Sequence, residues 1–185
     1  MLSKSPVIRL GEVNDSTRVA LSKHADSRGL LSKFDLRTLG DCSVFGQPRE
    51  VFWSYSKPNV IRGMHFIGND YQGSKIISVI EGSLTDFVVD LRRNSPTFLN
   101  LAITPMSEGD HALLVPRGCA HGFATESGCT ILYLQDHYFE QQEDLGFNID
   151  DLPIDLPSSA IRSIRDAGLP SLSLLFQDPT DVPSW

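Results

Sequence analysis

The stretch RGMHFIGNDYQGSK, residues 62–75, sets one histidine, His65, in an apolar run and one lysine, Lys75, ten residues after it. A second histidine, His121, closes EGDHALLVPRGCAHGF (residues 108–123), where a Gly-Asp turn, an apolar strand and a Pro-x-Gly corner precede it. Metal chemistry asks for more than this. A divalent ion normally takes three or four protein ligands, and His65 is followed by Phe66 and Ile67, with no second imidazole or carboxylate at ligand spacing. Proton chemistry asks for less. One imidazole serves as acid or base near neutrality, and a nearby cation holds negative charge that develops on oxygen. Taken singly, His65 reads equally as a satisfied core histidine and Lys75 as a solvated strand start.

The elements that must position these groups are strands. From Asn59 onward short runs such as VIRGMHF, KIISVI, FLNLAIT, HALLVP, HGFAT and TILYLQD are separated by turn signals, the pattern of a sandwich or barrel. In LTDFVVDL, alternation puts Leu84, Asp86, Val88 and Asp90 on one face and Thr85, Phe87, Val89 and Leu91 on the other. Glu81-Gly82 reads as a turn between KIISVI and that run, and residues 1–60 as irregular chain with short strands. Near the C-terminus, SSAIRSIRDAG is the best helix candidate, with Ser158 or Ser159 as cap and Gly168 as stop. The remainder, LLFQDPTDVPSW, reads as loosely held or docked on a neighbour.

Composition narrows the partners. The chain has 185 residues, 41% of them hydrophobic and 21% charged, enough for one domain with a real core. Its 23 acidic against 16 basic side chains, net charge -7, argue against a general nucleic-acid or anionic-membrane binder. A pocket for an anionic small molecule needs only a few local cations. Cys42, Cys119 and Cys129 form no CxxC and read as buried small side chains in a reducing compartment. The start MLSKSPVIRLGEV carries no apolar run of signal-peptide length, and no stretch approaches the roughly 18 apolar residues of a membrane span. These features point to a cytoplasmic protein. His24, His111 and His137 read as surface or loop residues.

The pairing of the His65 segment with EGDHALLVPRGCAHGF resembles the double-stranded β-helix of cupins, an all-β jelly-roll, here with short C-terminal helical segments. The match then sharpens. NVIRGMHF, Lys75, VIEGSLTDFVVDLRRNSPTF, VPRGCAHGF, ILYLQDHYF, ADSRG near the start, and GFNIDDLPIDLP and SIRDAGLPSL near the end are together similar to the dTDP-4-dehydrorhamnose 3,5-epimerase family, over about residues 26–172. That resemblance implies one cupin-type domain over 1–185, with a core of about 26–140 and a segment 141–185 packed against it. It implies an isomerase that inverts carbons 3 and 5 of a nucleotide-linked 4-keto-6-deoxyhexose in deoxysugar biosynthesis. It also implies no cofactor, no metal, and a homodimer that exchanges N-terminal strands.

Carried over residue by residue, the resemblance makes His65 the base and Asp166 its carboxylate partner. Tyr133 becomes the acid across the ring, with Lys75 and Arg62 as cations near the substrate oxygen and phosphates. His121 lines the pocket and Arg28 binds phosphate. Glu50 and Phe52 stand where the family usually has Gln and Asn, Asn59 where it has Gly, and Leu31 and Lys33 where it has an aromatic and Glu. Tyr138 and Phe139 fill its paired-aromatic positions. Glu50 and Phe52, which depart from the family, and Phe139, in the region that closes over the sugar, are candidate substrate or nucleotide contacts, and base and sugar stay open. So do a single-site 3- or 5-epimerase, a 3,4-ketoisomerase, and a non-catalytic sugar-binding cupin with a broken His–Asp pair or a filled pocket. Strict alternation puts Arg62 and His65 on opposite faces; if both enter one pocket, an irregularity at or near Gly63 is required.

Overall fold

The computed structural model describes residues 7–39, 44–68, 73–139 and 144–176. Its strands are β1 (Arg9–Leu10), β2 (Thr17–Ala20), β3 (Ser22–Asp26), β4 (Gly29–Lys33), β5 (Glu50–Ser56), β6 (Val60–Ile67), β7 (Lys75–Asp90), β8 (Asn100–Ser107), β9 (His111–Val115), β10 (Cys119–Thr125), β11 (Cys129–Gln135) and β12 (Asp144–Gly146). Two short helices, α1 (Ile164–Ala167) and α2 (Leu172–Leu175), follow. One sheet runs β1-β8-β7-β10-β6-β12. The other runs β5-β11-β7-β9-β2. This is the expected all-β jelly-roll with short helical segments at its C-terminal end.

β7 belongs to both sheets. Its first half pairs with β11 and β9, its second half with β8 and β10. The expected turn at Glu81-Gly82 is instead a bend within one 16-residue strand. Gly82 sits at φ 80, and a Cβ there would run into the Gly128 carbonyl, so the strand turns from one sheet to the other without stopping. The alternation after the bend sorts side chains into two cores. Leu84 and Val88 enter a cluster between the sheets with Ile77, Phe123 and Ile131. Phe87, Val89 and Leu91 enter another with Phe147, Ile149, Leu152 and Leu172 of the C-terminal segment.

Gly63 is irregular, as the parity of Arg62 and His65 requires. His121 pairs with His65 but Phe123 pairs with Arg62, so β6 spends one more residue than β10 over the same span. Gly63 has φ 108, and the peptide bond after it is cis. The extra residue resets the faces. Ile61, Met64 and Phe66 share the outer cluster, while Arg62, His65 and Ile67 line a cavity between the sheets. Asn59, where the resembling family has Gly, sits at φ 60, which Asn tolerates better than most residues. That departure is conformational.

The VDLRR-x-SPTF segment is a structural clamp. The buried Asp90 carboxylate accepts bonds from Arg92 (Nε 2.9 Å, Nη2 2.9 Å), Ser95 (2.6 Å) and Thr97 (2.7 Å), and Arg92 reaches on to Asp15 and the Asn14 carbonyl. Burial pushes the Asp90 carboxyl up, but these donors outweigh it and hold it below the usual carboxylate range.

Three expectations need correction. The helix candidate over 158–168 shrinks to α1, because Ser163, not Ser158 or Ser159, caps it by accepting the Asp166 N–H at 3.0 Å. Residues 159–161 instead tie to β6 through an Ile161–Val60 bridge. His111 is buried, with Nδ1 3.0 Å from Asp110 Oδ2. Leu175 and Phe176 dock on the chain's own core, Phe176 edge-on to Phe98. Cys119 and Cys129 are buried and free; Cys42 and the tail 177–185 lie outside the described residues. No helix among the described residues is long and apolar enough to cross a membrane.

Candidate active site

The cavity between the sheets has a volume of about 800 Å³, within the range of small-molecule sites. His65, Arg62, Lys75, His121, Tyr133, Asp166, Glu50, Phe52 and Phe139 all line it. Arg28 does not. It lies at the tip of the β3–β4 hairpin, paired with Asp26, and every residue of both strands is exposed. That hairpin pairs with neither main sheet.

β6 delivers His65, and α1 delivers its partner from 101 positions later: His65 Nε2 and Asp166 Oδ1 are 3.0 Å apart. The second Asp166 oxygen accepts the Gly63 N–H at 3.2 Å, so the irregular residue also anchors the carboxylate. Burial pushes the Asp166 carboxyl up, but His65, the Gly63 N–H and the Ser163 hydroxyl prevail and hold it below its usual range. An ionised carboxylate at Nε2 requires the proton there, which leaves Nδ1 as the basic nitrogen. Among the described residues Nδ1, itself buried, has no hydrogen-bond partner; Asp144 Oδ1 stands 3.8 Å away.

Tyr133 comes from β11, on the opposite sheet. It is 7% exposed, and its ring lies against Phe52 with centroids 4.7 Å apart and planes within 8°. His121 meets it edge-on at 6.4 Å. Burial pushes the Tyr133 phenol well up, with the neighbouring Ser54 hydroxyl pulling the other way. The proton therefore stays on the oxygen at neutral pH. Lys75 opens β7, where burial pushes its ammonium down against the pull of Asp144 and Asp86. Arg62 is tethered through Nε to Ser56 Oγ (3.0 Å) and through Nη2 to the Tyr55 carbonyl (3.2 Å). Glu50 accepts bonds from Gln135 Nε2 (2.6 Å) and the Phe139 N–H (3.1 Å), so it fastens the aromatic pair at the cavity mouth.

Sequence reasoning missed two carboxylates. Asp86, wholly buried, lies 2.6 Å from His121 Nε2. Its one sequence signal was an acid inside an apolar strand. Asp144, beside His65, is bound by Arg165 Nη1 at 2.7 Å and holds that cation at the cavity. It ends a run of polar residues and reads as solvated chain. Among the described residues, no three His, Cys, Asp or Glu side chains group as a metal site. The His–Asp pair is intact and the cavity open, contrary to what a non-catalytic cupin would show.

The chain is similar to known proteins over almost its whole length. Residues 11–173 match the profile of the family described as dTDP-4-dehydrorhamnose 3,5-epimerase. The dTDP-4-dehydrorhamnose 3,5-epimerase of Mycobacterium tuberculosis is 32% identical over 88% of this chain and 85% of its own. A crystal structure of the Bacillus anthracis enzyme of that name, with TDP and PPi bound, superposes with TM-score 0.79 at 32% identity, covering 89% of this chain and 99% of the other. A Mycobacterium tuberculosis epimerase structure superposes with TM-score 0.84 at 28% identity, covering 96% and 93%.

Proposed function

We propose, from the premise that this chain belongs to the dTDP-4-dehydrorhamnose 3,5-epimerase family, that His65 and Tyr133 are the base and acid of a sugar epimerisation. The protein is an isomerase that acts on a nucleotide-linked 4-keto-6-deoxyhexose. The observation that carries the residue assignment is their placement: His65, paired with Asp166 of α1, stands on one sheet and Tyr133 on the other, and both line the cavity. Inversion at carbon needs that arrangement, because the proton leaves one face and another arrives at the opposite face. A ketone-shifting isomerase needs only a base on one face, so Tyr133 across the cavity favours epimerisation.

The ketone acidifies the C–H on each side of it. His65 takes that proton, and the resulting imidazolium is stabilised by ionised Asp166. The electron pair moves onto the carbonyl oxygen, where Lys75 supplies a positive charge in a site shielded from water. Tyr133 returns a proton to the far face and is reprotonated from solvent. Arg62 and Arg165, tethered at the cavity by their own bonds, supply positive charge for the diphosphate. The TDP and PPi of the Bacillus anthracis relative indicate the class of ligand.

The experiment is mass spectrometry of dTDP-4-keto-6-deoxyglucose incubated with the enzyme in deuterated water. A gain of two mass units is expected for inversion at both carbons, and one for a single-site epimerase. If no deuterium enters that sugar, or its CDP-, UDP- or GDP-linked counterparts, the assignment of base and acid is wrong.

We read the enzyme as a cytoplasmic homodimer. β5 is an edge strand with Val51, Trp53 and Tyr55 exposed, and the β3–β4 hairpin exposes Leu30 and Leu31. Two such surfaces that cover each other bury this apolar area and bring one subunit's Arg28 toward its partner's cavity. Light scattering is expected to give twice the 20.5 kDa chain mass; a one-chain mass at micromolar concentration overturns the reading.

A further inference from the structure

Phe52 has neither donor nor acceptor, yet it lines a cavity built to hold a polar sugar. Its place there is explained by what it does to its neighbour. Phe52 and Tyr133 are direct cross-strand partners, and their rings stack with centroids 4.7 Å apart and planes within 8°. Phe52 is 39% exposed where Tyr133 is 7%, so Phe52 is the outer ring of the pair and the solvent side of the stack. His121 also packs on Tyr133, in a T-shaped arrangement at 6.4 Å, and is itself held by buried Asp86 at 2.6 Å. The phenol ring is thus held by two neighbouring rings, one of them stacked on its face.

We propose that Phe52 is a positioning residue for Tyr133, whose stacked ring fixes the phenol in the cavity, keeps water from its face, and so commits the enzyme to returning the proton opposite His65. The inference rests on the reading of Tyr133 as the acid. A short polar side chain at position 52 would leave that ring face open and let the phenol swing. The base side of the reaction involves Phe52 in no such way, because His65, Asp166 and Gly63 are held together by their own bonds.

The two half-reactions separate experimentally. In deuterated water, His65 alone can remove the proton beside the ketone and return a deuteron to the same face, which is exchange without inversion. Inversion needs the acid. With dTDP-4-keto-6-deoxyglucose, or whichever nucleotide-linked keto sugar the parent enzyme turns over, Phe52→Leu and Phe52→Asn are expected to raise the ratio of non-inverting exchange to inversion about ten-fold, the scale on which a displaced catalytic group loses efficiency. Phe52→Tyr keeps a ring for the stack and is expected to stay within about two-fold of the parent ratio. Proton NMR reads the inversion and mass spectrometry the exchange. If exchange and inversion fall together in the Leu and Asn variants, Phe52 acts only on the fold and the proposal is overturned. If the parent enzyme neither exchanges nor inverts any of these sugars, the proposed function fails first and this inference fails with it.

Discussion

His65→Ala is expected to lose turnover by about 10²–10⁴-fold, the contribution of a placed general base, with the affinity for the nucleotide sugar nearly kept. The reason lies in how little else can take the proton. His65 is held by Asp166 at 3.0 Å and has one basic nitrogen left. The neighbouring carboxylate, Asp144, is already bound by Arg165. Asp166→Asn leaves the imidazole in place but removes the charge that orients it and stabilises its protonated form. A loss of about 10²-fold or more is expected. Both follow from kcat and KM measured with the sugar that exchanges deuterium. A His65→Ala enzyme within ten-fold of the parent would place the base elsewhere.

The carboxylate of that pair gives stability a pH dependence. Against the upward push of burial, His65, the Gly63 N–H and the Ser163 hydroxyl hold Asp166 below the usual carboxylate range. Its folded pKa is lowered, so its share of stability is fully present above the ordinary carboxylate range. That share is lost as pH falls through the lowered value.

Gly63→Ala is expected to destabilise the protein by about 2–5 kcal/mol, the sum of a positive-φ penalty and a backbone clash. At this chain length that is a fall in Tm of roughly 5–15 °C. An added Cβ would meet the Gly122 Cα at 2.6 Å and the His121 carbonyl at 2.8 Å. Both are backbone atoms of β10, so relief moves the strand that carries His121. Gly63 also donates its N–H to Asp166. Activity should therefore fall with stability, since His65, Asp166 and His121 all depend on this one approach. Thermal melts and turnover of the purified variant test it. A variant that melts within about 2 °C of the parent would show that β6 keeps its parity without glycine.

Much of the fold was legible because period-2 alternation and turn residues are local signals. LTDFVVDL sorted its side chains as alternation predicts, and the clash between alternation and a shared pocket located the irregularity at Gly63. The signals failed where a partner lies far along the chain. Glu81-Gly82 reads as a turn because nothing local shows that β11 and β10 pair with the two halves of one strand. Asp86 passes for an oddity until His121, 35 positions later, is seen beside it. The first serines of SSAIRSIRDAG look like a cap, yet Ser163 accepts the Asp166 N–H and caps the helix, and Asp166 reaches His65 of β6 across 101 positions. The resemblance puts Arg28 at the phosphates, but the hairpin that carries it pairs with neither main sheet, and nothing local in the sequence shows where a hairpin packs.

α1 is four residues long, and polar contacts hold it: Asp166 to His65 and Gly63 of β6, and Arg165 to Asp144 of β12. Asp166 is its one buried residue, so the jelly-roll core does not run through it. A sub-global opening that lifts this segment would cost far less than unfolding the sheets. It would leave spectroscopic signals of folding intact while stripping the imidazole of its counter-charge. Catalytic rate is thus the more sensitive gauge of damage near the C-terminus, and a preparation can look native by melting curve yet hold a fraction of silent molecules.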